Sequence, residues 1–371
     1  MEKLALLGGT PVIDKEFKKY NPLGIEELNA AKEVIDSGIL SQFLGCWHED
    51  FYGGPKVKQF EKDAAKYFGV KHAITVNSWT SGLVAAVGAI GIEPGDEVIV
   101  SPWTMSASAT AILHWNAIPV FADIDIDTYN LCPDSIQQNI SPQTKAIMVV
   151  DIFGQSADMD IIMEIAKKHK LKVISDTAQA PGALYGDKYA GTCADVGGFS
   201  LNYHKHIHTG EGGILVTNDD DLAKRLQLIR NHGETIVDDM GVDDISNMIG
   251  YNFRLGEIEA AIGIEQLKKI DKLVERRVEV ANKIREGLSS LKGLRMPILK
   301  PNCTHSYYAF PLIYDKNLTG VDRKVIYDAL KAEGIPTDID YPNLHMLPMY
   351  QRKIAYGKKG FPWSSDIYKG N

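Results

Sequence analysis

The stretch SLNYHKHIHTGEGG, residues 200–213, is the most informative part of this chain because it places chemically useful groups at fixed spacing. Lys205 stands five residues after Ser200 and five before a Gly-Glu-Gly-Gly turn. Upstream, VISDTAQAPGA at 173–183 brings Asp176 to the end of an apolar run. A lysine that forms an imine, an aspartate that holds a pyridinium and a serine that holds a phosphate are what a pyridoxal phosphate (PLP) enzyme requires. The pattern therefore predicts a PLP site.

Short apolar runs surround these two stretches and alternate with helical stretches between about residues 25 and 250. They are apolar throughout, which is typical of strands in a sheet that is covered on both faces. The alternation predicts a mostly parallel α/β sheet, whose ligands lie beyond the carboxyl ends of the strands. The predicted strands are HAITV (72–76), EVIVS (97–101), PVFADI (119–124), AIMVVDI (146–152), KVISD (172–176), GGFSL (197–201) and GILVTN (213–218).

The chain is predicted to enter a second domain from about residue 290 onward, by way of a long helix. Apolar residues recur at spacings of three and four over 255–290, which predicts one long helix. Beyond it, HSYYAFPLIY at 305–314 has the composition of a strand. DRKVIYDALKAEG at 322–334 has that of a helix ending at a glycine. These elements predict a smaller α/β domain in the C-terminal part.

Composition and charge argue against several classes of protein. The net charge is −8 and the pI is near 5.7, whereas binding to nucleic acid or to an anionic membrane needs basic surface. The four cysteines lie far apart and form no C-x-x-C pair, as is typical of a reducing cytosol. The N-terminus lacks the pattern of a signal peptide, and no apolar run reaches the length of about 20 residues that a membrane span needs. We expect a cytoplasmic protein with no nucleic-acid or membrane partner.

Motifs along most of the chain resemble those of the DegT/DnrJ/EryC1/StrS sugar aminotransferases. The family pattern D-x-A-Q/H matches Asp176 to Gln179, and S-F-x-x-x-K-x-x-x-x-G-E-G-G matches 200–213. The resemblance implies the aspartate-aminotransferase fold, fold type I of PLP enzymes. In this α/β fold a large domain has a mostly parallel seven-stranded sheet with helices on both faces, and a smaller α/β domain follows. Further motifs occur in family order: LALLGGTPV near the N-terminus, EPGDEVIVSP (93–102), IPVFADID (118–125) and GYNFRLGEIEAAIG (250–263).

The resemblance and the element pattern together divide the chain into two domains. Residues 1–254 are expected to form an N-terminal segment and the large PLP-binding domain. Residues 255–371 are expected to form the linking helix and the small domain. A length of 371 residues suits one large core and a smaller one. The final stretch, 356–371, is turn-rich where family members continue with a strand and a helix, so we expect the C-terminus to lack its final elements.

Four residues carry the predicted cofactor chemistry. Lys205 is the candidate for the imine and for moving protons, since burial beside positive groups lets a lysine lose its charge and attack an aldehyde. Asp176 is predicted to pair with the protonated ring nitrogen, so that the ring can accept electron density; capping a helix is its alternative role. Ser200 offers a hydroxyl to the phosphate. The resemblance places Gln179 near the phenolic oxygen of the cofactor.

Further phosphate contacts are predicted from the turn NSWTSG at 77–82 and from Asn252. The turn precedes a helix, so its backbone N–H groups can point at an anion. By resemblance, Trp79 and Thr80 stand where the family has Gly-Thr. A glycine there permits close approach, so only the backbone of Trp79 is expected to contact the phosphate. Asn252 matches a family asparagine that reaches the phosphate from the neighbouring subunit, which implies a homodimer with shared active sites.

One face of the cofactor ring needs a side chain on which to stack. The family has an aromatic residue after P-x-x-T, but here the run SPWTM at 101–105 is one residue short. Met105 falls at the stacking position, and a thioether packs well against an aromatic ring. Trp103 is the alternative, if its indole turns toward the cofactor.

Histidines surround the lysine and recur further along the chain. His204, His206 and His208 alternate, so an extended backbone would put them on one face, where imidazoles can bind a metal. Since no second ligand cluster is evident, no metal site is predicted, and His206 is instead expected to face the substrate. His305 and His345 resemble family positions near the substrate, with a structural role as the alternative.

The leading functional prediction, implied by the resemblance, is transfer of an amino group onto a keto carbon of a sugar, with glutamate as the donor. The cofactor would alternate between PLP and pyridoxamine 5′-phosphate, which gives ping-pong kinetics. The sugar is expected to be nucleotide-linked, as in deoxyamino-sugar or cell-surface polysaccharide biosynthesis. An octulosonate-type keto or aldehyde sugar acid, or a cyclitol, is the alternative substrate.

Two other classes of function stay open at this point. The first is a PLP-dependent sugar dehydratase or lyase. Family members that act as sugar 3-dehydratases have a histidine in place of the lysine, whereas the spacing from Ser200 puts Lys205 at that position here. The second is a non-catalytic sensor that keeps the fold, and the intact Lys205, Asp176 and Ser200 argue against it.

Overall fold

Seven strands form one sheet, and they coincide with the seven apolar runs predicted from the sequence. The structure is a computed structural model that describes residues 3–339 and 341–353. Within these residues the strands are β1 (His72–Val76), β2 (Glu97–Val100), β3 (Ile118–Phe121), β4 (Thr144–Val150), β5 (Lys172–Asp176), β6 (Leu184–Tyr185), β7 (Lys188–Tyr189), β8 (Val196–Ser200), β9 (Gly213–Thr217), β10 (Leu294–Arg295) and β11 (Ile313–Tyr314).

The large sheet is parallel over most of its width. Its strand order is β1-β9-β8-β5-β4-β2-β3. The five strands from β8 to β3 run parallel, and β9 is antiparallel to both of its neighbours. The prediction of a mostly parallel α/β sheet is therefore confirmed. The other strands form two small antiparallel pairs, β6 with β7 and β10 with β11.

The helices cover both faces of this sheet. Within the described residues they are α1 (Ile25–Ser37), α2 (Pro55–Phe68), α3 (Trp79–Ala89), α4 (Ser106–His114), α5 (Pro133–Gln138), α6 (Met159–His169), α7 (Asp220–Arg230), α8 (Glu257–Leu267), α9 (Ile270–Leu288), α10 (Lys316–Thr319), α11 (Arg323–Ala332) and α12 (Pro348–Gln351). None of these helices is long and apolar enough to cross a bilayer.

Alternation along the strands explains why both faces need a cover. Ala146 and Met148 of β4 join a core cluster with α3, α4 and α7 on one face. Ile147 and Val149 join another cluster with α5 and α6 on the opposite face. Successive side chains of a strand point to opposite sides, and here all four are fully buried. A continuous apolar run is therefore what this strand requires.

The predicted long helix over 255–290 is wrong in one respect, because it is two helices. α8 ends at Leu267 and α9 begins at Ile270. The backbone N–H of Lys269 donates to the carbonyl of Gln266, three residues back instead of four. The Lys269 ammonium pairs with Glu26 and Glu27 of α1. This attachment to α1 accompanies the break, which apolar spacing alone does not indicate.

The predicted strand at 305–314 is confined to its last two residues, Ile313 and Tyr314. Tyr307 has a φ of 49°, which lies in the left-handed region and does not fit a strand. The helix predicted at 322–334 is present as α11, and Gly334 follows it with a φ of 81°. The division of the chain into two domains at residue 254 stays a prediction. The stretch 356–371, where the C-terminus was expected to lack its final elements, lies outside the described residues.

Candidate active site

Two adjacent strand ends and two helix starts define the site. Asp176 is the last residue of β5 and Ser200 is the last residue of β8. These strands are parallel neighbours in the sheet, so their carboxyl ends meet at the same edge. Lys205 lies in the loop that joins β8 to β9, where its backbone N–H donates to the carbonyl of Asn202 at 2.9 Å. The predicted lysine, aspartate and serine are thus brought to one edge of the sheet.

Lys205 holds a buried amine that is set up to lose its proton. The residue is only 8% exposed, and its Nζ lies 4.5 Å from the ring centroid of Tyr308. Burial lowers the pKa of Lys205 to about 8, while the nearby charge of Asp176 acts in the opposite direction. Within 3–339 and 341–353 no ion pair involves this lysine. Its unprotonated form is therefore accessible near neutral pH.

Attack of the Lys205 amine on an aldehyde is expected to speed up with pH and to level off above about pH 8. Only the unprotonated amine attacks, and a lysine whose pKa stays at 10.5 would still gain reactivity beyond pH 9 or so. The rate can be measured on cofactor-free protein with pyridoxal, followed by borohydride reduction and quantification of the Lys205 peptide. The other lysine peptides in the same digest are internal controls. A Lys205 midpoint as high as theirs would contradict the burial argument.

Asp176 is held from two helices. The indole Nε1–H of Trp79, in α3, donates to Oδ1 of Asp176 at 2.6 Å. The hydroxyl of Ser108, in α4, donates to Oδ2 at 2.7 Å. The backbone N–H of Ala178 lies 3.3 Å from Oδ1. Asp176 is 4% exposed, and its carboxylate has donors on both oxygens. A carboxylate can accept more hydrogen bonds than these three.

Gln179 lies in the turn that follows β5 and is held there by two hydrogen bonds. Its Oε1 accepts the backbone N–H of Phe153 at 2.8 Å, and its Nε2 donates to the hydroxyl of Tyr341 at 3.1 Å. Burial raises the pKa of Tyr341 to about 12, so this hydroxyl keeps its proton. The amide, three residues after Asp176 in the chain, is thus oriented by two partners.

The candidate phosphate contacts gather at the start of α3. Ser78 caps this helix by accepting the backbone N–H of Ser81 at 3.1 Å, and the first turn of a helix leaves N–H groups without intrahelical partners. Thr80 is exposed in this turn. Asn252 is also exposed. It lies beside this turn, since its backbone carbonyl accepts a hydrogen bond from Nδ2 of Asn77 at 3.3 Å within the same chain. Whether the Asn252 side chain serves its own or a partner's site stays a prediction.

The two candidates for ring stacking differ in burial. Met105 is 64% exposed at the residue that precedes α4. Trp103 lies in an aromatic cluster, with Tyr129, Phe153 and Tyr341 at centroid distances of 5.4, 5.3 and 5.6 Å. Its Nε1 donates to the backbone carbonyl of Tyr341 at 3.1 Å. The exposed Met105 side chain is therefore accessible to a ligand, whereas the Trp103 ring packs against other aromatic side chains.

Two of the predicted substrate histidines are buried and internally bonded. His206 is fully buried, and its Nε2–H donates to the carbonyl of Ser306 at 2.8 Å. His305 stacks on Tyr307 at 4.0 Å, and its Nδ1 accepts the Tyr307 backbone N–H at 3.0 Å. Burial lowers the pKa of both imidazoles to about 3, so both are neutral. His206 ties the lysine loop to the region after α9, whereas His305 is bonded within that region. Substrate contact by either histidine stays a prediction.

The remaining histidines are dispersed. His204 is exposed while His208 is buried, because the loop turns instead of running extended. The expectation that these alternate residues share a face is therefore wrong. His345 lies in a short 3₁₀ segment near Phe121, with ring centroids 6.3 Å apart, and its place against a substrate stays a prediction. Within the part of the chain that the structure describes, no group of histidines, cysteines and carboxylates could hold a metal ion.

Three residues of the site were not predicted from the sequence: Ser108, Tyr308 and Tyr341. Ser108 follows Met105 by three residues, so the two lie on the same face of the helix. The surrounding Ser- and Ala-rich sequence has no distinctive motif that would single it out. Tyr308 and Tyr341 come from the chain beyond α9, far from Lys205 and Gln179 in sequence. The only signal is that they belong to the motifs HSYY and YPNLH, which were considered for their histidines.

The fold and the site together define a class of protein. A doubly covered, mostly parallel sheet carries at one edge a buried amine, a carboxylate and a helix start suited to an anion, as an aminotransferase of this fold needs. The DegT/DnrJ/EryC1/StrS aminotransferase family matches the chain over residues 33–371. The chain belongs to that family and is an aminotransferase.

Named relatives extend over most of this chain. It is 36% identical to the spore coat polysaccharide biosynthesis protein SpsC of Bacillus subtilis, with 94% of this chain and 88% of that protein covered. It is 39% identical to a GDP-perosamine synthase of Caulobacter vibrioides, covering 88% and 87%. A solved structure of DesV from S. venezuelae, in complex with a ketimine intermediate, is 32% identical, with a TM-score of 0.78 over 89% of this chain and 83% of that one.

Proposed function

We propose that this aminotransferase uses PLP to move an amino group from glutamate onto the keto carbon of a nucleotide-linked sugar. The observation that carries the proposal is that the buried Lys205 amine lies at the same sheet edge as the Asp176 carboxylate, which accepts a side-chain hydrogen bond on each oxygen. The sugar substrate is inferred from relatives named for GDP-perosamine and for a coat polysaccharide. The product would be an amino sugar for polysaccharide or deoxyamino-sugar biosynthesis.

The residues present fit the cofactor by the chemistry of their donor set. An amine with a pKa near 8 suits attachment to an aldehyde, and a carboxylate with acceptor capacity left suits a pyridinium. The start of α3, with Thr80, and the Ser200 hydroxyl offer donors to a phosphate. When bound, PLP supplies an aldehyde carbon that carries the amino group and a ring that accepts electron density.

The protein groups then divide the work among binding, orientation and proton movement. Asp176 would hold the ring nitrogen, and Gln179 would lie near the phenolic oxygen. Lys205, once free, holds or releases a proton at Nζ above the ring of Tyr308, 4.5 Å away. The low polarity that lowers its pKa also excludes water from this proton transfer. Met105, exposed and unbranched, covers the outer ring face.

A homodimer with shared sites is part of the proposal. Several large apolar side chains near the N-terminus are exposed in the single chain, among them Val12, Phe17 and Ile25, at 81%, 60% and 60%. Apolar surface of this kind is commonly covered by a partner. Asn252 is exposed at the start of α3, where a neighbouring subunit could meet it. We place the dimer in the cytoplasm, in keeping with four free cysteines.

Glutamate added to the purified PLP-loaded protein is expected to shift the cofactor absorbance from a band at about 420 nm to one at about 330 nm. The amino group has then moved to the cofactor, and a keto sugar should reverse the shift. Candidate keto sugars are screened with ¹⁵N-glutamate, and the labelled amino sugar is detected by mass spectrometry. D-Glutamate is the matched control.

The other functions give different results in the same experiment. Release of ammonia without a labelled sugar would indicate a dehydratase or lyase. A labelled octulosonate-type acid or cyclitol would keep the reaction and change the substrate class. A protein that binds PLP but leaves the spectrum unchanged with every donor would be the non-catalytic sensor, and the proposal would be withdrawn.

A further inference from the structure

Trp79 stands where the family pattern has a glycine, and the structure gives its side chain a defined place. The indole is 5% exposed and packs in the core under α3. Two glycines make room for it. A Cβ at Gly198 would lie 2.4 Å from Cη2 of Trp79, and one at Gly82 would lie 2.8 Å from Cε3. The indole therefore fills a space that this chain's own glycines keep open.

The polar end of this indole meets Asp176. Its Nε1–H donates to Oδ1 at 2.6 Å, and an indole nitrogen can only donate. The Ser108 hydroxyl holds Oδ2 from the other side at 2.7 Å. The two oxygens are thus fixed by α3 and by α4, and rotation of the carboxylate would break both bonds. We call these two hydrogen bonds the clamp on Asp176. The lone pairs that they leave unused can accept a hydrogen bond from a ligand.

We propose that Trp79 is a positioning residue, which aims the Asp176 carboxylate at the ring nitrogen of the cofactor. The inference rests on the proposed PLP chemistry. The backbone of Trp79 lies in the helix turn that faces the phosphate, while its side chain holds the group that faces the ring nitrogen. One residue thereby sets the distance between the two ends of the cofactor site. A hydrogen bond to a charged group is large enough to change an equilibrium by about 10-fold to 100-fold.

A core role alone would make a different prediction. If the indole only filled space, any aromatic ring of similar size would serve equally well, and cofactor binding would follow overall stability. If its N–H positions Asp176, then removal of that N–H weakens cofactor binding more than the loss of stability explains. The experiment must separate these two consequences.

The test compares Trp79→Phe with Trp115→Phe. Trp115 belongs to the same core cluster, and its Nε1 donates to the carbonyl of Val84 at 2.7 Å, away from Asp176. Each variant loses one buried indole hydrogen bond and keeps an aromatic ring. The readouts are thermal stability without cofactor, the PLP dissociation constant by absorbance titration, and the absorbance maximum of the bound cofactor.

We expect both variants to lose comparable stability, whereas only Trp79→Phe raises the PLP dissociation constant, by about 10-fold or more, and moves the absorbance maximum. Wild-type values of both cofactor readouts in Trp79→Phe would overturn the inference, as would an equal effect of Trp115→Phe. Ser108→Ala is a smaller change that removes the donor on the other oxygen. If Trp79→Phe does not fold, unchanged cofactor readouts in Ser108→Ala overturn the clamp. Failure of the wild-type protein to bind PLP would instead overturn the proposed function, and the inference with it.

Discussion

Lys205→Ala is expected to lower amino transfer by about 10³-fold or more, while the fold persists. The side chain would supply both the covalent attachment and the proton transfer, and a positioned general base alone contributes about 10²-fold to 10⁴-fold. Burying an amine is costly, and within the described residues Lys205 has no ion-pair partner to lose. Its removal should therefore leave thermal stability equal or higher. Steady-state turnover and a melting curve measure the two effects.

Lys205→Arg is the matched control for this prediction. It keeps a positive charge and a long stem, but a guanidinium stays protonated and cannot attack an aldehyde. Both variants should therefore be inactive, which separates the loss of the amine from the loss of the charge. Near-normal turnover in Lys205→Ala would contradict the assignment of the catalytic lysine.

Asp176→Asn is expected to lower turnover by about 10²-fold or more and to weaken PLP binding, since the amide does not stabilise a protonated ring nitrogen. The substitution keeps the shape of the side chain and a carbonyl oxygen that can accept one of the two donors. With that oxygen toward the Trp79 indole N–H, the NH₂ group can donate to the Ser108 hydroxyl, which accepts as well as donates. Both turnover and the PLP dissociation constant should be measured.

Asp151→Asn separates the chemistry from general damage to the core. Asp151 is also a buried aspartate, and it accepts hydrogen bonds from Thr177 at 2.7 Å and from Ser175 at 3.1 Å on one oxygen. This variant should lose stability, because it disturbs a buried network, but its PLP dissociation constant should change far less. If the two variants weaken PLP binding equally, then Asp176 has no special contact with the ring.

The sheet could be predicted from the sequence because its strands are buried on both faces. A run such as KVISD is apolar whichever face is considered, and the structure gives β5 the same bounds, Lys172–Asp176. Lys205 and Asp176 were predicted from their motifs, and each follows or ends such a strand. Local pattern and global position agree at these residues.

The clamp on Asp176 could not be predicted in the same way. Trp79 was expected to act only through its backbone, because a glycine is usual there. The direction of its indole depends on the space beside Gly198, which belongs to a strand more than a hundred residues away. Tyr341 likewise reaches Gln179 from 162 residues further along the chain. Long-range contacts of this kind leave no periodic signal in a single sequence.

The most direct test of the account is borohydride reduction of the PLP-loaded protein, followed by peptide mapping. The account predicts one modified residue, Lys205, in the peptide that spans the β8–β9 loop, and no modification after glutamate has converted the cofactor to its amine form. Recovery of that peptide unmodified from a fully loaded sample, or of the label on another lysine, would contradict it.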